Sequence, residues 1–297
     1  MSYASALRNR VCRLLNSRIR ITGDSDNSYR KVFLGRFAWM RLDNIKVSLR
    51  VLDVILSKRS LSKEFSVTND KRLAIIIPFR DRHKHLERLL PCLEAKLQSE
   101  EINYKIIVAE QCDAKPFNKG LLFNAAVHEE GSNFDYFCLH DVDLLPLDCS
   151  YGCPSSPLRL FSVIETDLGN RQTSSICFGG VISLSKADYI KANGFSNNFW
   201  HWGKEDDNFL IRILLSGITP VIDLQGRFCE LPDSTSRYGP ANGSPSKLKS
   251  YIFKNKRYHY KLCRGLIDIS NDGYSTANYE LLGKEKRENY LWLGFLL

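Results

Sequence analysis

The sequence predicts an α/β protein whose central sheet is mostly parallel, with helices on both faces. Two observations support this prediction. Short apolar runs at residues 73–77, 104–109 and 134–140 have the length of buried strands. Helical patterns at residues 85–98 and 121–129 separate these runs. Alternation of strands and helices is typical of consecutive βαβ units, which build parallel sheets.

The first strand and the first helix have the clearest patterns. The run at residues 73–77 is continuously apolar and ends at Pro78, as expected for a strand that is buried on both faces. Pro91 lies inside the helix at residues 85–98 and predicts a kink or a broken start, because proline has no N–H to donate. The leucines on one face of this helix are Leu86, Leu89, Leu90, Leu93 and Leu97.

The later elements are less regular. Residues 176–184 form a strand-like run, and Ser185 is the expected N-cap of a helix at residues 186–192 that Gly194 ends. Residues 231–249 are rich in Pro, Gly, Ser and Asn, which predicts a long loop.

The chain is expected to contain one large domain with extensions, since it has 297 residues. We predict a basic helical N-terminal extension at residues 1–70, an α/β core at residues 71–230 and an irregular C-terminal region at residues 231–297. Residues 1–63 carry fourteen Lys and Arg against four Asp, a net charge of +10, whereas the whole chain has +9.

The basic segment has no apolar run of the roughly 18 residues that a membrane span requires. Its interleaved apolar and basic residues fit adsorption to an anionic membrane face. An ordinary solvated face of packed helices has the same composition, so both alternatives stay open. The segment contains no nucleic-acid-binding motif, and we expect no nucleic-acid partner.

The segment at residues 198–207 combines large aromatic side chains with consecutive carboxylates. Its key residues are Trp200, Trp202, Gly203, Glu205, Asp206 and Asp207. Tryptophan rings stack on the apolar face of a hexose, and carboxylates accept hydrogen bonds or a proton from its hydroxyls. Acidic residues also suit a helix N-terminus, and residues 209–215 continue as a helix. Because the helix does not explain the tryptophans, the segment indicates a sugar site.

A second acidic pair, Asp141 and Asp143, follows the predicted strand at residues 134–140. The carboxyl ends of parallel strands form the edge at which open α/β sheets bind ligands. Carboxylate oxygens there suit Mg²⁺ or Mn²⁺, which in turn neutralise a diphosphate. Asp-x-Asp alone is common in loops, but here it follows a hydrophobic strand and precedes the tryptophan–carboxylate segment.

Several blocks of the sequence resemble, in order and spacing, the β-1,4-galactosyltransferase family (family 7 type), which includes members that transfer N-acetylgalactosamine. The resemblance spans about residues 72–230. Its blocks are residues 75–82, 117–124, 141–143, 178–181, 193–195 and 200–207. It implies the GT-A fold, a core that binds a UDP-sugar, and a mobile loop after residue 230 that closes over the donor and completes the acceptor site.

The resemblance also implies roles for individual residues. Arg80 and Arg82 would contact the phosphates, for which guanidinium groups are well suited, although a structural ion pair is the alternative for either. Lys119 stands where the family usually has Arg. The full set implied to bind the donor is Pro78, Phe79, Arg80, Arg82, Phe117, Lys119, Asp141, Val142, Gly180, Trp202 and Gly203.

Asp206 is the expected general base, with Glu205 beside it in the catalytic pair. The family inverts an α-linked UDP-sugar to a β-glycoside, and a single displacement needs a carboxylate to deprotonate the acceptor hydroxyl. Asp207 and Trp200 are the expected acceptor contacts, with capping of the helix as the alternative for Asp207.

Two departures from the family pattern concern the metal and the donor sugar. Asp143 is the expected metal ligand, and Glu230 and Asp233 stand where the family usually has Met or His, and His. An alternative third ligand is His259. Carboxylates alone favour hard cations, so we expect Mn²⁺ or Mg²⁺. Cys177 replaces a bulky Tyr that accompanies galactose in the family, so both UDP-Gal and UDP-GalNAc are expected donors.

The expected function is therefore that of an inverting, metal-dependent galactosyl- or N-acetylgalactosaminyltransferase. The resemblance, without the family's N-terminal membrane span, leads us to expect a bacterial enzyme in the cytoplasm or on the inner face of the cell membrane. Its expected acceptor is a saccharide, lipid-linked in surface polysaccharide synthesis. The alternatives are a transferase of another UDP-sugar and an inactive relative that binds glycans or acts as a scaffold.

Overall fold

A computed structural model of the chain describes residues 70–172, 178–232 and 245–297. The predictions for the basic N-terminal extension lie outside these residues, apart from Asp70. Those for Cys177, Asp233 and the greater part of the loop at residues 231–249 also lie outside them.

The described residues form two sheets. The strands of the main sheet are β1 (Arg72–Phe79), β2 (Asn103–Gln111), β3 (Tyr136–His140), β5 (Leu158–Arg159), β8 (Val181–Ser185), β9 (Val221–Ile222), β11 (Glu280–Lys286) and β12 (Leu291–Leu296). Those of the small sheet are β4 (Leu144–Asp148), β6 (Val163–Thr166), β7 (Gly169–Gln172) and β10 (Arg227–Glu230).

The helices are α1 (His83–Ser99), α2 (Lys119–Glu130), α3 (Lys186–Lys191), α4 (Glu205–Leu215) and α5 (Pro245–Cys263). Single 3₁₀ turns lie at Gly131–Asn133, Ile269–Asn271 and Tyr274–Thr276. In the described parts of the chain, none of the helices combines the length and the apolar character that crossing a membrane requires.

The main sheet has the strand order β11-β12-β2-β1-β3-β8-β5-β9. The central strands β12, β2, β1 and β3 are parallel, and β8 runs antiparallel to both β3 and β5. Residues 73–79 of β1 are all buried, as the continuous apolar run predicts. The prediction of a mostly parallel α/β sheet is confirmed, with the antiparallel β8 as its main irregularity.

Helices cover both faces of the main sheet, because neighbouring side chains of each strand point to opposite faces. Leu73, Ile75 and Ile77 of β1 pack with the leucines of α1 in one core. Ala74 and Ile76 face the other core, which contains side chains of α2, α3 and α4.

The small sheet, ordered β4-β10-β6-β7, extends the molecule beyond the carboxyl end of β3. Strand β4 begins directly after the Asp141–Asp143 segment and pairs antiparallel with β10. The backbone N–H of Leu231 donates to the Asp143 carbonyl at 2.7 Å. The chain that leaves β10 therefore starts beside the second acidic residue of this pair.

Several predicted boundaries change in the structure. Helix α1 continues through Pro91, so the predicted broken start is wrong. Of the strand predicted at residues 176–184, the described part begins at Val181, because Gly180 has a φ of +84° that a strand does not accommodate. The Ser185 side chain accepts a hydrogen bond from the Asp188 N–H at 3.0 Å, which confirms it as the N-cap of α3.

The prediction of an irregular C-terminal region is wrong for residues 245–263 and 280–296, whereas residues 264–279 contain only short 3₁₀ turns. Helix α5 begins at Pro245, inside the predicted loop, and β11 and β12 form a hairpin whose second strand pairs with β2. One face of β12 is buried in the core that also contains Ala74 and Ile76 of β1. Its alternating side chains are Leu291, Leu293 and Phe295. Burial of this alternating face attaches the end of the chain to the central sheet.

Arg212 of α4 joins the sheet core to the C-terminal turns. Its guanidinium is fully buried and donates to the carbonyl oxygens of Gly194 at 2.7 Å and Asn193 at 2.9 Å, and also to that of Asp272. The Asp272 carboxylate lies 3.9 Å away and balances the charge.

We expect Arg212→Met to lower the free energy of unfolding by about 3 kcal/mol or more, because it removes the donor to several buried carbonyls and the counter-charge of the buried Asp272 carboxylate. Urea unfolding monitored by circular dichroism measures this change. The matched control is Arg287→Met, since Arg287 lies on the surface and pairs only with neighbours in its own hairpin; its effect should stay below about 1 kcal/mol. Equal effects of the two variants would contradict the role of Arg212.

Candidate active site

The loop between β1 and α1 carries the two predicted phosphate-binding arginines. Arg80 donates to the Lys115 carbonyl at 2.6 Å and lies over the Phe117 ring, 5.4 Å from its centroid. Arg82 contacts the Asp143 carboxylate at 3.1 Å. Pro78 and Phe79, at the end of β1, are buried and hold the start of this loop. Arg82 therefore borders the acidic end of β3, whereas Arg80 lies beside the residues that precede α2.

Asp141, Val142 and Asp143 occupy the turn between β3 and β4. The Asp141 N–H donates to the Gly180 carbonyl at 2.9 Å, which joins this turn to the residues before β8. Val142 is buried, whereas both carboxylates are partly exposed. The turn presents the two acidic side chains at the carboxyl edge of the main sheet, as the sequence predicts.

The tryptophan segment is a tight loop before α4. His201, Gly203 and Lys204 have φ angles of +66°, +114° and +76°. Left-handed backbone at non-glycine residues is uncommon and marks a constrained loop. The His201 N–H donates to the Phe117 carbonyl at 2.7 Å, which fixes the loop beside the predicted nucleotide site.

The same loop separates the two tryptophans. Trp202 is 49% exposed and projects from the surface. Trp200 packs against the core and is half-buried. Trp202 is therefore the more accessible of the two tryptophans.

A single ammonium group lies among three carboxylates at the start of α4. The Lys119 Nζ is 2.8 Å from Asp206, 3.5 Å from Asp141 and 3.6 Å from Glu205. These four residues come from α2, from the end of β3 and from α4. Glu205 also accepts a hydrogen bond from the Gly203 N–H at 2.9 Å. The ion pairs assemble the two acidic motifs of the sequence into one cluster.

Burial controls the charge of this cluster. It raises the pKa of Asp206 to about 7 against the lowering effect of Lys119, and Glu205 and Asp141 raise this pKa further. Burial likewise raises the pKa of Asp141 to about 6, and Lys119 opposes the rise. The three carboxylates outweigh desolvation at Lys119 and hold its pKa well above the usual range. A carboxylate with a pKa close to neutral is suited to accept a proton.

Gly179 is a site residue that the sequence analysis did not single out by itself. A Cβ atom added there would lie 2.2 Å from an Asp206 carboxylate oxygen. The Asp206 side chain therefore rests directly on the Gly179 backbone, and any larger residue would displace it. Its neighbour Gly180, predicted to border the sugar, contacts the Asp141 backbone instead of a side chain of the cluster.

Asp207 belongs to a different contact from Asp206. Its carboxylate pairs with Lys204, three residues earlier, and both side chains are partly exposed. It lies in the first turn of α4, where a carboxylate also complements the helix dipole. Both predicted roles, an acceptor contact and support of the helix start, stay open for this residue.

The predicted metal ligands are only partly assembled. Asp143 contacts Arg82, and Glu230 contacts Arg171 at 3.1 Å, while Asp233 lies outside the described residues. Within residues 70–172, 178–232 and 245–297, no three His, Cys, Asp or Glu side chains are grouped so as to hold a metal ion. The Asp143 carboxylate is partly exposed and pairs with the Arg82 guanidinium. Its oxygens are the hard donors that Mn²⁺ or Mg²⁺ requires.

His259, the alternative third ligand, lies on α5 and is largely buried. Burial lowers the pKa of its imidazole to about 4, so the ring is neutral at physiological pH. Its Nε2 is 3.5 Å from the Cys263 sulfur. It is therefore a side chain of the α5 packing, and the structure gives it no contact with Asp143.

Asn118 and Asn124 support the site from beneath. The Asn118 side chain caps α2 by accepting from the Leu121 N–H at 3.0 Å. Asn124 accepts from Tyr189 at 2.6 Å and from the Phe195 N–H at 3.1 Å. Both lie in the block at residues 117–124. The signals available in the sequence were an asparagine directly before a helical pattern, at Asn118, and one within it, at Asn124.

We expect Asp206→Asn to stabilise the protein more at pH 8 than at pH 5. Between pH 4 and 7 the unfolded chain has lost the Asp206 proton while the native state keeps it, so the native stability falls as the pH rises. Asparagine does not titrate, so it removes this loss. Between pH 5 and pH 8, the free energy of unfolding of the variant should therefore rise by about 2 kcal/mol relative to that of the wild type. Urea unfolding at both pH values measures the gain.

The matched control is Asp148→Asn, on the exposed end of β4, which should show the same difference from wild type at both pH values. A pH-independent effect of Asp206→Asn would mean that Asp206 is already ionised in the native state at pH 5.

Comparison with known proteins identifies the family. Residues 43–154 match the model for the N-terminal region of glycosyl transferase group 7, and residues 159–238 match the model described as the N-terminal domain of galactosyltransferase. β-1,4-Galactosyltransferase 4 of Mus musculus is 42% identical over 227 residues, and that of Rattus norvegicus is 34% identical. Each alignment covers 74% of this chain and 62% of the relative, so the chain spans less than two thirds of these relatives.

Solved structures show the same fold. The catalytic domain of Drosophila β-1,4-galactosyltransferase 7, in complex with xylobiose, has a TM-score of 0.63 at 26% identity. A mutant of that enzyme in complex with manganese, UDP-Gal and xylobiose has the same TM-score at 25% identity. Each comparison covers 76% of this chain and 94% of the solved chain, which confirms the expected GT-A fold. The chain belongs to the glycosyl transferase group 7 family, that of the β-1,4-galactosyltransferases.

Proposed function

We propose that this protein is an inverting, metal-dependent glycosyltransferase that moves galactose from UDP-galactose to a saccharide acceptor. The carboxylate cluster carries this proposal, because Asp206 is partly buried, rests on Gly179 and has a pKa close to neutrality. Such a group is suited to deprotonate a sugar hydroxyl. The relatives named β-1,4-galactosyltransferase and the structure with manganese and UDP-Gal support the choice of reaction and donor.

In the proposed reaction, Asp206 accepts the proton of the acceptor hydroxyl as its oxygen forms a bond to C1 of the donor sugar. The bond between C1 and the UDP oxygen breaks on the opposite face, which inverts the configuration. Lys119 remains charged and offsets part of the negative charge of Asp141, Glu205 and Asp206 before the acceptor arrives. Glu205, fixed by the Gly203 N–H, orients the donor sugar through its carboxylate.

The leaving diphosphate would lie between the arginines and the end of β3. Arg80 and Arg82 provide guanidinium groups that suit phosphate oxygens. Asp143 would hold Mn²⁺ or Mg²⁺, which supplies charge neutralisation of the diphosphate. Arg82 contacts Asp143 at 3.1 Å, so its guanidinium lies beside the carboxylate that would hold the cation. Glu230 and Asp233 stay the proposed further ligands.

Trp202, which is 49% exposed, would cover the sugar and exclude water from the reacting carbon. Asp207 and Trp200 would contact the acceptor on the other side of Asp206. UDP-N-acetylgalactosamine is the second candidate donor, since Cys177 is smaller than the tyrosine that the family pattern places there. The choice between these two donors therefore stays a prediction that is based on Cys177.

The cellular setting is proposed from the sequence. A basic segment at residues 1–63 suits the inner face of a bacterial cell membrane, where the enzyme would extend surface polysaccharide on a lipid-linked acceptor. A cytoplasmic enzyme without membrane contact is the alternative setting. An inactive glycan-binding relative is the alternative function, but the cluster around Lys119 keeps the proposed base Asp206 together with Asp141 and Glu205.

The experiment that tests the proposal is a donor screen. We expect release of UDP from UDP-Gal, or from UDP-GalNAc, in the presence of a simple saccharide acceptor and Mn²⁺ or Mg²⁺. EDTA should abolish the release, and UDP-Glc and UDP-GlcNAc should give at least about tenfold less, the discrimination expected from a pocket built for one epimer. Release that is equal with all four donors, or unaffected by EDTA, would contradict the proposal.

We expect Asp206→Asn to lower the transfer rate by about 10²–10⁴-fold, the usual contribution of a general base, while the affinity for UDP changes little. Steady-state kinetics and calorimetry of UDP binding measure the two effects. The matched variant is Asp207→Asn, one residue later on the same helix, which should raise the acceptor KM more than it lowers kcat. Undiminished turnover by Asp206→Asn would remove Asp206 from the role of base.

A further inference from the structure

Helix α5 has two chemically distinct faces. Its inner face contacts the core through the buried Leu262 and through Asn255, which donates to the Trp200 carbonyl at 3.1 Å. The outer face consists of cations and large apolar side chains. Its exposed residues, continued past the end of the helix, are Lys249, Phe253, Lys254, Lys256, Arg257, Tyr260, Lys261, Arg264 and Leu266.

The outer face carries charge of one sign. The sequence of α5 contains six Lys and Arg and no Asp or Glu. None of the exposed cations of this face pairs with a carboxylate of the described residues. Two of them, Lys254 and Arg264, lie 5.6 Å from the ring centroids of Tyr251 and Tyr260 instead. An ordinary solvated helix mixes both signs of charge, as α1 does with Glu87 and Glu94 among its basic residues.

Apolar groups stand among these cations. Phe253 is 68% exposed, Leu266 65% and Tyr260 40%. Their position beside unpaired lysine and arginine residues is typical of helices that lie in a membrane interface, where the rings enter the headgroup region and the cations contact anionic lipids. A purely electrostatic surface for a polyanion would gain little from an exposed phenylalanine and leucine.

The inner face of α5 connects this surface to the proposed acceptor side. Tyr258 accepts a hydrogen bond from Asn198 at 3.2 Å, and the Tyr251 ring stacks on His201 with centroids 6.1 Å apart. Asn198 and His201 flank Trp200 in the loop that leads to Asp206. The helix whose outer face is basic therefore also supports the loop that would receive the acceptor.

We propose that the outer face of α5 docks the protein on an anionic lipid surface. An anionic lipid surface complements the positive charge of this face and accommodates the exposed Phe253 and Leu266. A second copy of this positively charged chain would instead be repelled by the cations. The residues of this surface lie at positions 249–266 of the sequence, far from the basic segment at residues 1–63 along the chain. Docking does not depend on the proposed transferase activity, although it would bring a lipid-linked acceptor close to Asp206.

The test is sedimentation of the full chain with vesicles of phosphatidylcholine, with or without phosphatidylglycerol. We expect binding to the anionic vesicles only, weakened by salt. Lys254→Glu/Arg257→Glu should weaken it by about 30-fold or more, since each basic residue near such a surface contributes about one factor of five. The matched control, Lys84→Glu/Arg88→Glu, changes the charge equally on α1, across the sheet, and should bind like the wild type.

A second pair of variants separates lipid from other polyanions. Leu266→Ser should weaken vesicle binding several-fold, whereas Leu224→Ser, similarly exposed in the turn before β10, should not. Equal binding by the charge-reversal variant and its control would overturn the proposal and assign adsorption to another part of the chain. If the protein binds heparin as strongly as vesicles, and Leu266→Ser weakens neither, the surface binds polyanions in general and the lipid proposal is wrong. Thermal unfolding of each variant establishes that it is folded.

Discussion

The ion pairs of Lys119 with Asp141, Glu205 and Asp206 are the interaction on which the site depends. Three carboxylates within 3.6 Å of one ammonium group would repel one another without it, and the loop before α4 could not lie against the end of β3. The pairing is not complete neutralisation, since one cation faces three anions. The excess negative charge and the burial together leave Asp206 with a pKa close to neutrality, above the raised pKa of Asp141.

The backbone around this cluster is arranged to permit it. Gly179 leaves room for the Asp206 carboxylate, and the left-handed residues before α4 turn Trp202 outward while the Glu205 side chain reaches back to the Gly203 N–H. The antiparallel strand β8 is what brings Gly179 to the end of β3, since a parallel strand at that position would place its amino end at the opposite edge of the sheet. The irregular feature of the sheet is therefore the one that completes the site.

Much of the fold was predictable where a single local pattern decides the structure. Strand β1, with its continuous apolar run, and helix α1, with leucines on one face, formed as predicted because burial and periodicity agree there. The C-terminal hairpin was missed. Its second strand is apolar at nearly every position, but its place beside β2 depends on contacts with residues about 180 positions earlier in the sequence. Similarly, α5 begins within a stretch whose Pro, Gly and Ser content predicted a loop. The hydrogen bond from its Asn255 to the Trp200 carbonyl and the burial of its Leu262 stabilise it in the folded protein.

The sequence by itself determined which chemical groups are present and near which strand ends they lie. Asp141 and Asp143 follow a buried strand, and the tryptophans precede the carboxylates of α4, because residue order is local information. Only the tertiary structure decided that Lys119 stands between these two motifs, that Asp206 rests on Gly179, and that Glu230 contacts Arg171. These pairings join distant parts of the chain, and their pKa consequences follow from burial, which no local pattern specifies.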